Sequence, residues 1–240
     1  MAIILASSLD THTKDELGNR IAHPIEDENK ILTNIKRFVK NTNRVVYIAN
    51  DPNNIEENDI RVVPFFESLD QTGLKFKEKI LLDKRNYKNY KEILSGADLL
   101  ILSGGKCLCQ NKFLRKIKLK KFLKNYNGLA IGISAGSMNL CKTVANFPEE
   151  FIDLKEPRWL KGLNFFDGII IPHFDGANVK YQYECEEVDL IHDYVLPMSN
   201  KKDFIGIPNG SYILIDNEWQ TEYYGDMYKI SKGKVEKFLK

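Results

Sequence analysis

Short, uninterrupted apolar runs recur along the chain, separated by longer stretches in which apolar residues return at helical spacing. Apolar runs bounded by loop residues are the pattern of strands buried on both faces of a parallel sheet. Segments 3–7, 44–49, 74–82, 98–102 and 129–133 fit that pattern, and 166–172 is a further run that stops at His173. Between them the spacing predicts helices over 27–40, 60–71, 87–95 and 111–125; Pro64 obscures where the second one starts. The polar stretch 8–23 reads as a loop over the sheet edge. Strand–helix alternation of this kind predicts an α/β fold with a doubly wound, mostly parallel sheet, whose chemistry gathers at the carboxyl ends of its strands.

Past residue 140 the pattern weakens. Segment 142–163, with Pro148 and Pro157, reads as a loop or broken helix, and 184–196 as a helix with Val188, Ile191 and Val195 buried. Segments 204–208 and 211–215 read as short strands around the turn signal Asn209-Gly210, and 219–238 as antiparallel β-hairpins. With no linker or repeat, residues 1–240 are expected to form one domain.

Charge and composition narrow the function classes. A net charge of +2, from 35 basic and 33 acidic residues, gives no electrostatic footprint for nucleic acid or an anionic membrane. The lysines of 111–125 lack interleaved aromatics and read as a solvated helix face. No apolar run approaches the ~20 residues of a membrane span, and the N-terminus lacks the basic region of a signal peptide. Cys107, Cys109, Cys141 and Cys185 form neither a disulfide framework nor a zinc motif, so no metal or cofactor is expected. Reduced thiols in a cytoplasmic protein are the expectation.

The candidate chemistry sits at three strand ends. Gly132-Ile133-Ser134-Ala135-Gly136 follows the run 129–133 and opens a helical stretch, the G-x-S-x-G pattern of a nucleophile elbow. Such a turn is strained and crowded, which explains its small residues. Ser103-Gly104-Gly105 ends another strand and offers a backbone amide; with the amide of Ala135 it would form a two-donor oxyanion hole. Of four histidines, only His173 directly follows a buried strand, where it could serve Ser134 as base. A histidine so soon after the serine departs from the α/β-hydrolase order.

The ordered set Ser103-Gly104-Gly105, Gln110-Asn111, Gly132 to Ser137, Ile171-Pro172-His173 and Ile207-Pro208-Asn209-Gly210-Ser211 resembles the dipeptidase E (aspartyl dipeptidase) family over nearly the whole chain, most closely its bacterial type 1 glutamine amidotransferase-like members. The resemblance implies a class I glutamine amidotransferase-like, flavodoxin-like three-layer fold and a serine peptidase acting on small peptides or amides, as a monomer or homodimer. By position, it makes Ser134 the nucleophile and His173 the general base. The oxyanion donors become Gly105 and Ala135, and the substrate-binding positions Gly104, Gln110, Asn111 and Lys180. Asn209 stands where the family usually has an acidic residue to orient the histidine, with Asp175, Glu184 and Asp216 as alternative carboxylates. Between His173 and Leu196 Lys180 replaces the family's aspartate-binding arginine, and lysine is the poorer carboxylate fork. Cyanophycinase-like hydrolysis and a degenerate ligand- or partner-binding role are the alternatives, while serine in place of the elbow cysteine disfavours glutamine hydrolysis.

Overall fold

The computed structural model describes residues 1–147, 158–175, 180–183 and 186–238. Strand β1 (Ala2–Ala6) is followed by a small hairpin, β2 (His12–Lys14) with β3 (Arg20–Ala22), where the sequence suggests only a loop. Then come α1 (Ile31–Phe38), β4 (Arg44–Ile48), α2 (Ile55–Gln71), β5 (Glu78–Leu82), α3 (Tyr90–Ser95) and β6 (Leu99–Leu102). Helix α2 starts ahead of the predicted point because the Asn54 side chain caps it, accepting from the Glu57 amide at 3.3 Å. The predicted helix 111–125 is two pieces, α4 (Cys107–Lys116) and α5 (Leu119–Leu123), broken at Lys118 with φ 51°. Strand β7 (Leu129–Ile133) runs straight into α6 (Ala135–Leu140).

These strands assemble, with β14 (Tyr212–Ile215) and β15 (Thr221–Tyr224), into a seven-stranded sheet of order β15-β14-β1-β7-β6-β4-β5. Strands β1, β7, β6, β4 and β5 are parallel; β14 and β15 add an antiparallel hairpin beyond β1. Their continuous hydrophobicity follows from burial on both sides. Ile4, Val45, Tyr47, Ile101 and Ile131 face α1 and α2 through Ile35, Val62, Phe65 and Leu69. Leu5, Ile48, Leu102 and Ala130 face the opposite layer through Leu94, Phe113, Leu114 and Leu123. The sequence-predicted α/β architecture is what the chain forms.

After α6, β8 (Thr143–Asn146) pairs antiparallel with β9 (Arg158–Lys161), so the flanks of the predicted loop are a hairpin; 148–157 lie outside the described residues. Next in order are β10 (Ile170–Pro172), β11 (Lys180–Tyr183) and β12 (Glu186–Asp189). The predicted helix 184–196 is thus partly strand; helical backbone begins at Leu190, where the Asp189 carboxylate accepts from the amides of Ile191 and His192. A short α7 (Leu196–Met198) leads to β13 (Phe204–Ile207), and β16 (Met227–Ser231) with β17 (Lys234–Phe238) closes the described chain. A second sheet, β10-β13-β16-β17, packs around Phe174, Leu190, Ile191, Val195 and Phe204. Asn209-Gly210 joins β13 in the second sheet to β14 in the first, so it is a crossover between sheets rather than a hairpin turn.

Candidate active site

Ser134 lies between β7 and α6 with φ 51° and ψ −112°, a conformation that strains any residue carrying a Cβ. Close packing holds it there. A methyl at Gly132 would come within 2.6 Å of the Ser137 backbone nitrogen, and one at Gly136 would overlap the Leu102 carbonyl. The Ser134 amide donates to Ala6 O at 3.0 Å, and the buried Ser137 hydroxyl sits 2.7 Å from Ala6 O and 2.6 Å from Gly132 O. The elbow is therefore fixed to the strands on both sides of β7.

His173 arrives from the second sheet. Strands β10 and β13 run parallel with Pro172 opposite Ile207, so the residues just past each end emerge side by side at one edge. There His173 Nε2 lies 2.9 Å from Ser134 Oγ, and its Nδ1 lies 2.7 Å from Asn209 Oδ1. The His173 backbone, at φ 56°, donates its N–H to the Ser7 hydroxyl at 2.6 Å. Ser7, buried just past β1, donates in turn to Asn209 Oδ1 at 3.4 Å. That contact directs the amide oxygen toward the ring. An acceptor at Nδ1 places the proton there and leaves Nε2 to accept from Ser134, the tautomer a base requires.

Facing the elbow is the glycine turn after β6. Gly104 O accepts from Asn50 Nδ2 at 2.5 Å and from Arg61 at 3.3 Å. Gly105 has φ 128°, and a side chain there would run into the Asn50 amide. In a trans peptide the carbonyl and the following N–H point oppositely, so the Gly105 N–H is turned away from Asn50 and Arg61. The Ala135 N–H opens α6, where no intrahelical acceptor exists.

Ser134 and His173 line a cleft of about 290 Å³ that also includes Gly104, Gly105, Tyr47 and Ile133. Its outer wall comes from α2 and from the segment running out of β1 into the small hairpin: Ser8, Thr11, His12, Arg20 and Arg61. Burial and the neighbouring Arg20 hold the His12 imidazole below its ordinary pKa, so Arg20 donates to a neutral ring nitrogen at 2.6 Å. Burial likewise pushes the Tyr47 phenol up. Lys106 pairs with Asp51 at 3.4 Å and Tyr224 stacks on Tyr212 at 4.7 Å; neither lines the cleft.

Two sequence assignments need correction. Gln110 and Asn111 are buried and committed to the protein: Gln110 donates to Ser103 O at 2.8 Å, and Asn111 to Asn139 Oδ1 at 2.8 Å. Asn139 donates back to Gln110 at 3.1 Å. This network ties the glycine turn to α6 and offers nothing to a substrate. Asp216 is not a partner of His173; it accepts from the amides of Glu218 and Gln220 in the β14–β15 turn. Asn209 is the side chain found at Nδ1. Glu184 and the Lys180 side chain lie outside the described residues. Sequence reasoning missed Ser7, Asn50, His12, Arg20 and Arg61. Of these, only Ser7 and Asn50 carried a signal, as polar residues at strand carboxyl ends.

A strained serine at a strand–helix elbow, bonded to a histidine and facing a glycine turn, is the arrangement of a serine hydrolase built on an α/β sheet. The sequence profile of peptidase family S51 matches residues 17–222. The chain belongs to that family, and it is a serine-type peptidase that cleaves small peptides. Its fold is similar to that of a candidate peptidase E protein from Listeria monocytogenes EGD-e, solved by crystallography, with a TM-score of 0.57 and 16% identity. That similarity covers 92% of this chain and 96% of the other. No curated protein sequence matches. Among the described residues, no helix is long and apolar enough to cross a membrane.

Proposed function

We propose that Ser134, His173 and Asn209 carry out the peptidase reaction, with the amides of Gly105 and Ala135 as oxyanion donors. Ser134 Oγ attacks the scissile carbonyl carbon and its proton passes to His173 Nε2. The two amides stabilise the oxyanion of the tetrahedral intermediate. His173 then protonates the leaving amine, the C–N bond breaks, and an acyl ester remains on Ser134. Water, deprotonated by the same nitrogen, releases the acid and restores the serine. The observation that carries this reading is the 2.9 Å contact between Ser134 Oγ and His173 Nε2, made by a serine held in a strained elbow. Residues 1–240 act as one hydrolase unit, since Ser7, Ser134, His173 and Asn209 meet at a single edge. The protein works in the cytoplasm, in keeping with four cysteines whose spacing forms neither a disulfide framework nor a zinc motif.

The test is hydrolysis of a dipeptide panel by wild type beside Ser134→Ala. Turnover of at least one dipeptide by wild type and none by the variant supports the assignment; equal turnover by both removes it.

Asn209 supplies a separate prediction. A neutral amide orients the ring but stabilises the imidazolium of the transition state less than a carboxylate would. Asn209→Asp should raise kcat/KM by roughly tenfold, because a charge next to Nδ1 favours the protonated ring. Asn209 is exposed, so the added charge costs little desolvation. Steady-state kinetics decide: an unchanged or lower kcat/KM in a folded Asn209→Asp protein rejects this role.

A further inference from the structure

Two of the lysines that the sequence presents as a solvated helix face have a more particular setting. Lys112 and Lys116 on α4, with Lys84 just past β5, surround a cavity of about 300 Å³. It shares no residue with the cleft of Ser134. Pro52, Tyr87 and Phe113 give it an apolar wall, and Asn53 adds an amide. Lys116 Nζ stands 3.9 Å from the centre of the Tyr87 ring, which packs edge-on with Phe113. Among the described residues no carboxylate lines the cavity, and none of the three lysines forms an ion pair. The carboxylates preceding Pro52 and Lys84 are held elsewhere: Asp51 pairs with Lys106 at 3.4 Å and Asp83 with Arg85 at 2.7 Å. Three like charges thus surround one concave surface, and an anion between them relieves their repulsion.

The topology favours a ligand at this place. Strand β4 leads into α2 on one face of the sheet, whereas its neighbour β6 leads into α4 on the other. Such diverging connections open a crevice at the carboxyl ends of the strands, the usual ligand position in open α/β sheets. Pro52 and Asn53 follow β4 there, and Lys84 and Tyr87 follow β5. The same loop after β4 and the same helix α4 also hold the glycine turn of the active site. Asn50, in that loop, donates to Gly104 O at 2.5 Å, and Gln110, on α4, donates to Ser103 O at 2.8 Å. A ligand joining the loop to α4 therefore braces Gly104-Gly105 from both sides.

We infer that this cavity binds a small phosphate monoester, and that its occupancy steadies the glycine turn facing Ser134. Three compact ammonium groups suit a phosphate dianion, whose charge is spread over three terminal oxygens. The apolar wall fits an organic body rather than a bare ion, and the volume limits that body to a small one. A sugar phosphate and a nucleotide present the same dianion. Binding is independent of the catalytic reading. The effect on the turn rests on it, because it needs Ser134 as nucleophile and Gly105 as oxyanion donor.

The experiment is isothermal titration calorimetry at constant ionic strength, with ribose 5-phosphate, AMP, adenosine and inorganic phosphate as probes. At least one monoester should bind saturably, roughly tenfold or more tighter than inorganic phosphate, and adenosine should not bind. The tighter monoester identifies the source of the phosphate. Lys84→Gln, Lys112→Gln and Lys116→Gln should each weaken binding by roughly tenfold, the size of one charge-assisted contact. Lys124→Gln removes the same charge from an exposed position outside the cavity and should leave affinity unchanged. No saturable binding of either monoester up to about 10 mM, or equal weakening by Lys124→Gln, would overturn the site. Equal affinity for inorganic phosphate would reject the monoester. Fluorophosphonate labelling of Ser134 is then timed with and without the saturating monoester. Labelling faster by roughly fivefold, the low end of coupling between two sites, supports the brace. An unchanged rate in a labelled enzyme rejects the brace alone. An enzyme that is never labelled rejects the brace together with the catalytic reading on which it rests, while calorimetry still decides the site.

Discussion

His173→Ala should lower kcat/KM for any peptide substrate by roughly 10⁴-fold or more. The serine hydroxyl is a weak nucleophile at neutral pH, and among the described residues its proton has one acceptor, His173 Nε2 at 2.9 Å. Removing the ring deletes that acceptor and also the acid that must protonate the leaving amine, so both halves of the cycle fail together. The fold should not suffer. His173 is exposed, and the contact that fixes its segment to β1 is made by its backbone N–H to Ser7, which alanine preserves. Paired kinetics and thermal melts check this: activity lost with Tm nearly unchanged is expected. A loss of less than about tenfold would mean that another group is the base.

Gly136→Ala should produce the largest stability change. The added methyl would overlap the Leu102 carbonyl, a backbone atom of β6. Strand β6 is paired on both sides, with β4 through Ile48–Leu102 and with β7 through Gly132–Leu102, so it cannot retreat. Overpacking against flexible side chains costs about 1–3 kcal/mol; against fixed backbone the cost should reach about 3 kcal/mol or more. That is a large share of the stability of a folded domain. A fall in Tm of about 6–12 °C follows for a protein of this size, or loss of soluble protein in the extreme. A variant that melts within 2 °C of wild type, a negligible shift on that scale, would show that the elbow is looser than its packing indicates.

The parallel strands were legible in the sequence because burial on both faces turns each into an unbroken apolar run, as at Leu99–Leu102 and Leu129–Ile133. Where a segment's neighbours came from elsewhere in the chain, the pattern carried less. The hairpin β2–β3 has three residues per strand and no buried face, so nothing in its sequence distinguishes it from a loop. The break at Lys118 leaves the amphipathic spacing of 111–125 nearly intact and therefore hides it. Asn209-Gly210 has the composition of a hairpin turn, yet β13 and β14 part into different sheets, and that parting brings Asn209 to His173.

The candidate site divides along the same line. Ser134 and His173 sit in motifs because a strained elbow and a strand end constrain their neighbours. Gln110 and Asn111, polar and close to a motif, read as substrate contacts; they are buried under the glycine turn instead. Arg20, Arg61 and His12 come from the hairpin and α2 and converge only through the fold. No local pattern announces them.

The most direct test of the central claim is to treat the protein with a fluorophosphonate and map the adduct by peptide mass spectrometry. One phosphonyl group is expected on Ser134, absent from Ser134→Ala and strongly slowed in His173→Ala. A wild-type protein that stays unmodified while a control serine hydrolase is labelled, or an adduct that maps to another residue, would contradict the assignment of Ser134 as the nucleophile.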